Sequence, residues 1–170
     1  MLINDSRILF APERRHTPDV APIVVLDRLR TPENIGNIIR LAANVGVRRI
    51  VSIEEVRLGE SRIRKTACMA WDYVELVRTD YDAFDRYIPA DYQWVALETT
   101  PSSQSVFAAR LPQRMALVAG SEVLGVRPEL LDRCALHVHI PMTGPATSMN
   151  VSHATSVALF EWVRRYAVQL

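Results

Sequence analysis

A stripe of hydrogen-bonding side chains runs along the first predicted helix. In the segment LDRLRTPENIGNIIRLAANVG, Asn37, Arg40 and Asn44 recur at helical spacing. The apolar positions of this helix fall on another face: Ile35, Ile38, Ile39 and Ala42. Because a predicted strand leads into the helix, the polar stripe would suit a phosphate or a ribose at the strand's carboxyl end. A solvated helix face explains the same spacing.

A second segment, LVAGSEVLGVRPELL, carries a carboxylate between two glycines. Gly120 lacks a side chain and lets a backbone or a flat ligand come close, and Gly125 permits a sharp turn. Glu122 lies between them. An ordinary strand-to-helix loop explains this pattern equally well.

The third segment, PMTGPATSMNVSHATSVALFEW, changes from a loop to a helix halfway along. Pro141, Gly144 and Pro145 indicate a rigid loop with few charges, and Ser148 is predicted to cap the helix that follows. A ligand bound to this loop would meet backbone amides and carbonyls more than charged side chains.

Other site chemistries have weaker support. The sequence contains neither a G-x-G-x-x-G nor a G-x-x-x-x-G-K-[ST] loop. His137 and His139 share one strand face but lack a third ligand at a telling spacing, so we predict no metal site. Ser152 beside His153 lacks an oriented acid. Two cysteines outside any C-x-x-C pair are predicted to be small buried hydrophobes: Cys68 and Cys134.

Short β-branched runs alternate with helical patterns along the chain. The predicted strands are Ile23–Leu26, Ile50–Ile53, Tyr73–Val77, Trp94–Leu97, Met115–Ala119 and Leu136–Ile140. The predicted helices are Asn34–Val45, Arg62–Ala70, Asp80–Tyr87, Gln104–Ala109, Pro128–Cys134 and Ser148–Val168. This alternation predicts an α/β fold with a mainly parallel sheet flanked by helices.

Composition is typical of a globular domain. The chain has 170 residues, of which 49% are hydrophobic and 23% are charged, and we expect one domain over residues 1–170 with an extended lead-in over residues 1–22. No apolar run approaches the roughly 20 residues of a membrane span, and no secretory signal is visible, so we expect a cytoplasmic location. Net charge is only +1, yet Lys65 is the sole lysine and arginine supplies the other 19 of the 20 basic residues. Genomic base composition is the simpler explanation of this bias, although arginine also suits bidentate contacts to phosphate.

Taken in order, the three segments resemble the motifs of a known family. N-I-G-N-I-I-R, G-S-E-V-L-G-V and I-P-M-T-G-P-A-T-S-M-N-V-S-H-A are similar to those of the SpoU (TrmH-like) RNA 2′-O-methyltransferases of the SPOUT superfamily. The resemblance spans about Ile23 to Tyr166, with Met149 where leucine is usual. We expect no additional RNA-binding domain of the kind that many relatives carry.

The resemblance implies a deep C-terminal trefoil knot that binds S-adenosylmethionine. The implied cofactor-binding residues are Leu97, Glu98, Thr99, Ala119, Gly120, Gly125, Ile140, Met142, Ser148 and Met149. It also implies a homodimer whose active site is completed across the interface. The apolar face of the last helix is a candidate for that interface: Val151, Ala154, Ala158, Trp162 and Val163.

Catalytic roles also follow from the resemblance. Arg40 matches the family's motif arginine, and we expect it to bind the phosphate beside the target ribose and to stabilise the developing alkoxide. Asn34 would position the ribose or Arg40, and Glu122 would orient an arginine or the loop. Ser148 and Asn150 would shape the methyl-donor pocket.

The substrate is predicted to be RNA. The single-domain length and the phrase GNIIRLAANVG resemble the small members that act on the tRNA anticodon loop, so tRNA is favoured and ribosomal RNA is the alternative. A non-catalytic RNA-binding module and methylation of a base instead of a ribose are the remaining alternatives.

Overall fold

Seven short strands form one sheet at the centre of the structure, a computed structural model that describes residues 19–167. The strands are β1 (Ile23–Asp27), β2 (Arg49–Ile53), β3 (Glu75–Thr79), β4 (Gln93–Leu97), β5 (Gln104–Ser105), β6 (Met115–Gly120) and β7 (Leu136–His139). Their order across the sheet is β3-β2-β1-β6-β4-β7-β5, and every neighbouring pair is parallel. The predicted α/β class with a mainly parallel sheet is confirmed.

Helices cover both faces of this sheet. They are α1 (Pro32–Asn44), α2 (Glu60–Ala67), α3 (Pro128–Leu131) and α4 (Val151–Tyr166), with 3₁₀ turns at Cys68–Asp72 and Phe84–Tyr87. One buried cluster packs α1, α2 and α4 against the sheet, and a second packs Phe84, Ile88 and Leu130 against the other face. Because both faces are covered, β1 and β6 are buried at every position.

The first helix forms where its sequence predicts it. Pro32 occupies the first turn, where its missing N–H costs no hydrogen bond, and the predicted apolar face is fully buried. The helix ends before Gly46, whose φ of 80° lies in the left-handed region that glycine adopts without strain. At its other end, α1 begins at Pro32, shortly after β1 ends at Asp27, so its first turn lies close to the carboxyl end of β1.

The predicted helix Gln104–Ala109 is wrong. Gln104 and Ser105 form β5, which pairs with Val138 and His139 at the open edge of β7. The remaining residues make a turn in which the amides of Ala108 and Ala109 both donate to the Ser105 carbonyl. Pairing with a free strand edge satisfies more backbone groups here than one short helical turn would.

Four other predicted elements are shifted or shortened. The predicted strand Tyr73–Val77 begins instead at Glu75, because the Tyr73 amide closes a 3₁₀ turn onto Ala70. The predicted helix Arg62–Ala70 ends as an α-helix at Ala67 and continues as the 3₁₀ turn. Only Phe84–Tyr87 of the predicted helix Asp80–Tyr87 is helical, and the helix predicted over Pro128–Cys134 ends at Leu131.

Burial corrects two further expectations. Ala158 and Trp162 are fully buried in their own core, and Trp162 Nε1 donates to the Gln113 carbonyl at 3.0 Å, so neither residue can form the predicted dimer face. Cys68 is exposed at the end of α2, where its φ is 53°. Cys134 is half-buried, and burial raises the pKa of its thiol to about 12.

Residues 19–167 contain no helix that is long and apolar enough to cross a membrane. Most of the predicted lead-in over residues 1–22, and Val168 at the end of the last predicted helix, lie outside the described residues. The predicted trefoil knot stays a prediction.

Candidate active site

A cavity of about 410 Å³ lies at the edge of the sheet where the parallel strands end. Its walls come from the ends of β4 and β6, the turn after β6, and the residues that lead into α4. The lining residues are Leu97, Glu98, Ala119, Gly120, Ser121, Glu122, Gly125, Ser148, Met149, Asn150, Val151 and Ala154. Ligands of α/β proteins commonly bind at this edge.

Most of the residues predicted to hold a cofactor line this cavity, and three do not. Thr99 donates its amide to Glu98 Oε1 at 3.0 Å, Ile140 packs against the core, and Met142 lies in the exposed loop over residues 141–150. Sequence analysis missed Ser121, Val151 and Ala154. For the last two a signal existed, because small and β-branched residues three positions apart share one face at the start of a helix.

The turn after β6 is built around two glycines. An added Cβ on Gly120 would lie 2.2 Å from Gly125 C, so the predicted close backbone approach at Gly120 is confirmed. Gly125 has a φ of 67°, and a Cβ there would lie 2.5 Å from Glu98 Oε2. Ser121 and Gly125 exchange two backbone hydrogen bonds that close the turn. The glycines therefore let the turn lie directly against the end of β4.

Glu98 joins β4 to this turn. Its Oε2 accepts a hydrogen bond from the Val126 amide at 3.0 Å, while Oε1 accepts from Thr99. Its own amide donates to the Val138 carbonyl. Glu98 thus fixes the relative positions of three segments at one end of the cavity.

Glu122 accepts hydrogen bonds from three donors in the segment between β1 and the first turn of α1. Its carboxylate accepts from Asn34 Nδ2 at 2.8 Å and from the amides of Arg30 and Thr31 at 3.1 and 3.2 Å. Burial alone would raise the pKa of Glu122, but these hydrogen bonds outweigh burial and lower the pKa below its ordinary value. Glu122 is therefore ionised at neutral pH, and its hydrogen bonds connect the turn after β6 to the segment between β1 and α1.

Asn34 links Glu122 to the start of α4. Asn34 is buried, and its Oδ1 accepts from Asn150 Nδ2 at 3.0 Å. Asn150 Oδ1 accepts from the Ser152 amide at 2.9 Å, which caps α4. The predicted cap at Ser148 is wrong, because α4 begins three residues later than expected and only Asn150 reaches its first free amides.

A shallow groove of about 260 Å³ lies between α1 and α4. Its lining residues are Asn37, Arg40, Leu41, Asn44, Ser152, His153 and Ser156. The predicted polar stripe of α1 is therefore confirmed as one surface. Arg40 is exposed and makes no hydrogen bond or ion pair with any residue between 19 and 167. Asn34, which was predicted to position the ribose or Arg40, makes its side-chain hydrogen bonds to Glu122 and Asn150 and none to Arg40.

The strand-face histidines are held by hydroxyl groups. His137 Nδ1 lies 3.0 Å from Thr100 Oγ1, and His139 Nδ1 lies 2.9 Å from Ser103 Oγ. His137 Nε2 lies 3.0 Å from the Leu131 carbonyl. Within the described part of the chain, no three His, Cys, Asp or Glu side chains are arranged to hold a metal ion.

A single family of known proteins matches the segments that form the cavity and the groove. The profile of the SpoU rRNA Methylase family matches residues 21–160, which include both walls of the cavity and the groove. The chain belongs to the SpoU rRNA methylase family. The three motif segments of the family resemblance form α1, the turn after β6, and the loop into α4.

Similar curated proteins of the SpoU family include ribosomal RNA enzymes. The chain is 32% identical over 146 residues to the 23S rRNA (guanosine-2′-O-)-methyltransferase RlmB of Salmonella typhi, covering 84% of the chain and 60% of that protein. It is 28% identical over 165 residues to RlmB of Coxiella burnetii, covering 96% of the chain and 65% of that protein. The chain thus spans less than two thirds of the length of these relatives.

Solved structures share the fold. An AdoMet-bound rRNA methyltransferase from Sinorhizobium meliloti superposes with a TM-score of 0.78 at 27% identity, covering 89% of this chain and 58% of that one. A structure described as giving insights into the 2-OH methylation of C/U34 on tRNA superposes with a TM-score of 0.75 at 27% identity, covering 86% of this chain and 96% of that one.

Proposed function

We propose that this protein is an RNA 2′-O-ribose methyltransferase that uses S-adenosylmethionine. The observation that carries the proposal is the hydrogen-bonded chain Glu122–Asn34–Asn150–Ser152. Glu122 and Asn150 line the cavity, and Ser152 lines the groove that holds Arg40. Membership of the SpoU family and similarity to 2′-O-methyltransferases support the same activity.

The cavity fits the proposed cofactor. Its volume lies within the range of small-ligand sites, and it combines apolar walls with backbone groups and a few polar side chains. Leu97, Ala119 and Met149 offer apolar surface for an adenine ring, and Glu98 and Ser148 offer hydrogen-bonding groups. When bound, S-adenosylmethionine supplies an electrophilic methyl group attached to a sulfonium.

Arg40 would act on the RNA. Transfer to a ribose hydroxyl requires alignment of that hydroxyl and stabilisation of the charge that develops as its proton leaves. A guanidinium stays protonated, so Arg40 serves as a clamp for the neighbouring phosphate and as a charge partner for the alkoxide. Its exposed position in the groove, without a partner among residues 19–167, leaves its donors available.

The Glu122–Asn34–Asn150 chain would hold the reacting groups in position. Glu122 would fix the loop between β1 and α1, and Asn34, bonded to both Glu122 and Asn150, would hold the start of α4 against that loop. Ser148 and Asn150 then shape the side of the cavity nearest to α4. These are positioning roles, and proton removal is left to solvent or to the RNA.

Two features of the family resemblance extend the proposal. We expect a trefoil knot in which the turn over residues 119–125 and the loop over residues 140–150 wrap the cofactor, and we expect residues 1–170 to form one SPOUT domain. We also expect a homodimer. Ala158 and Trp162 are excluded from its interface, whereas Val151, Ala154 and Val163 remain half-buried candidates on α4.

Ribosomal RNA is the first candidate substrate. The similar curated proteins are 23S rRNA enzymes at 32% and 28% identity. Transfer RNA, which the sequence favoured, is the second candidate, since the structure concerned with C/U34 of tRNA matches over 96% of its own length. Either RNA agrees with the predicted cytoplasmic location.

The test is transfer of labelled methyl from S-adenosylmethionine to separate pools of unmodified ribosomal RNA and tRNA. Label in ribosomal RNA would support the first substrate, and label in tRNA the second. Binding of S-adenosylmethionine without transfer to either pool would instead favour a non-catalytic RNA-binding module.

A further inference from the structure

A second cavity opens at the same edge of the sheet, where β1 and β2 end. Its volume is about 390 Å³, and its lining residues are Arg28, Leu29, Arg30, Glu55, Val56 and Leu58. The two cavities share one segment: Arg30 lines the second cavity, and its amide donates to Glu122 in the first. A ligand in the second cavity would therefore lie next to the proposed active site.

Arg28 is held in an unusual conformation at the base of this cavity. Its φ of 57° lies in the left-handed region, which is unfavourable for a residue with a Cβ. Its Nε is buried and lies 3.4 Å from Asp27 Oδ1 without making a hydrogen bond to any described residue. Such strain is concentrated at functional sites in proteins.

The opposite wall is rigid and partly apolar. Arg78 makes two hydrogen bonds of 2.7 Å to Glu54 and a third of 2.7 Å to the Leu58 carbonyl, which fixes the segment over residues 55–58. Val56 is 73% exposed although it is apolar. The side chain of Glu55 is 53% exposed beside it, with Oε1 3.7 Å from Arg28 Nη1.

We propose that the second cavity binds a nucleotide that flanks the methylated one in the RNA substrate. The proposal rests on the proposed function, which brings an RNA strand to this edge of the sheet. Arg30, exposed and without an ion pair among residues 19–167, binds the phosphate. The base packs on Val56 and Leu58, and Glu55 accepts hydrogen bonds from its edge.

The carboxylate makes this site selective. Guanine, adenine and cytosine each carry an exocyclic amino group that can donate to Glu55, whereas uracil presents carbonyl oxygens beside its single N–H. We therefore expect a uracil at the flanking position to be the poorest fit.

Arg30→Gln tests the phosphate contact, with Arg57→Gln as the matched control. Arg57 is an exposed arginine between Val56 and Leu58 that does not line the cavity. Arg30→Gln should raise the KM for RNA about tenfold and reduce the slope of log affinity against log salt by about 0.7. Arg57→Gln should leave both unchanged, and equal effects of the two substitutions would overturn the proposal.

Glu55→Gln tests base selection. Wild-type protein should bind short guanine-containing oligonucleotides about tenfold more tightly than oligouridine, and the variant should lose that preference. A preference that survives in the variant, or no preference in the wild type, would overturn the assignment.

Direct oligonucleotide binding separates this proposal from the proposed function. If wild-type protein transfers no methyl group to RNA, the proposed activity fails. Loss of oligonucleotide binding in Arg30→Gln but not in Arg57→Gln would still support the cavity as a nucleotide site.

Discussion

At the scale of residues, Asn34 has only one orientation that satisfies its neighbours. Ionised Glu122 can only accept hydrogen bonds, so the amide nitrogen of Asn34 faces it and the amide oxygen is left to accept from Asn150. Asn150 must then direct its own oxygen to Ser152. The charge on Glu122 therefore determines hydrogen-bond directions as far as the start of α4.

Replacement of Glu122 by glutamine should disturb this chain. Its new NH₂ group would face one of the donors from Asn34, Arg30 or Thr31, so Glu122→Gln should lower the free energy of unfolding by about 1 kcal/mol at neutral pH. Exposed Glu129 provides the control, and Glu129→Gln should have little effect.

The effect of Glu122→Gln should depend on pH. Because folding lowers the pKa of Glu122 below the ordinary 4.5, its stabilising contribution is present above that value and is lost as the pH falls through the folded-state pKa. Thermal unfolding across a pH series should show the wild-type advantage disappear in acid. An advantage of equal size at acidic and neutral pH would contradict the assignment.

Arg40→Ala tests the proposed contact with RNA. Methyl transfer should fall at least about 100-fold, because the clamp on phosphate and alkoxide is lost, while S-adenosylmethionine binding stays within about twofold. Calorimetric titration and labelled transfer measure the two effects. Arg48→Ala, an exposed arginine outside both the cavity and the groove, is the control. Equal loss of binding and transfer in Arg40→Ala would argue against its role.

At the scale of elements, the start of α4 depends on one cap. Asn150→Ala removes the acceptor of the Ser152 amide and the donor to Asn34, so unfolding free energy should fall by about 1–2 kcal/mol. Ser148→Ala should change it by less than about 0.5 kcal/mol, because Ser148 makes no cap. Denaturant unfolding of the two variants distinguishes the residues. A larger loss of unfolding free energy for Ser148→Ala than for Asn150→Ala would support Ser148 as the cap.

The other end of α4 is fastened through Glu161. A hydrogen bond from Arg164 is the main cause that lowers the pKa of Glu161 to about 2; burial opposes it and Arg165 adds to it. Arg165 also donates to backbone carbonyls of the turn over residues 106–109. Glu161 therefore helps to hold α4 against the segment after β5.

This anchor should weaken in acid. The folded pKa of Glu161 lies below the ordinary 4.5, so its contribution is complete above about pH 5 and is lost as the pH falls towards 2. Glu161→Gln should cost about 2 kcal/mol of unfolding free energy at neutral pH and little near pH 2. Chemical unfolding at both pH values measures this, and a pH-independent difference would count against the ion pairs.

At the scale of the whole molecule, the sheet was predictable because its strands carry continuous apolar runs. The strands β1, β2 and β6 are buried on both faces of the sheet, and a strand buried on both faces needs apolar residues at successive positions. Short β5 was not predictable, since Gln104 and Ser105 are polar and their pairing depends on the distant edge of β7.

The site was predictable in its membership but not in its connections. Gly120, Glu122 and Asn150 follow from local motifs, and they do line one cavity. The bond from Asn150 to Asn34, which holds the capping residue in place, joins residues 116 positions apart. Such contacts arise from the fold, so local propensity could not choose Asn150 over Ser148 as the cap.

The most direct test of the proposed activity is the identity of the methylated nucleoside after labelled transfer to RNA and complete nuclease digestion. We expect the label on the ribose 2′-oxygen, in a product whose modified site resists alkaline cleavage, and we expect Arg40→Ala to form at least about 100-fold less of it. A methylated base at a site that alkali still cleaves would contradict the proposed chemistry.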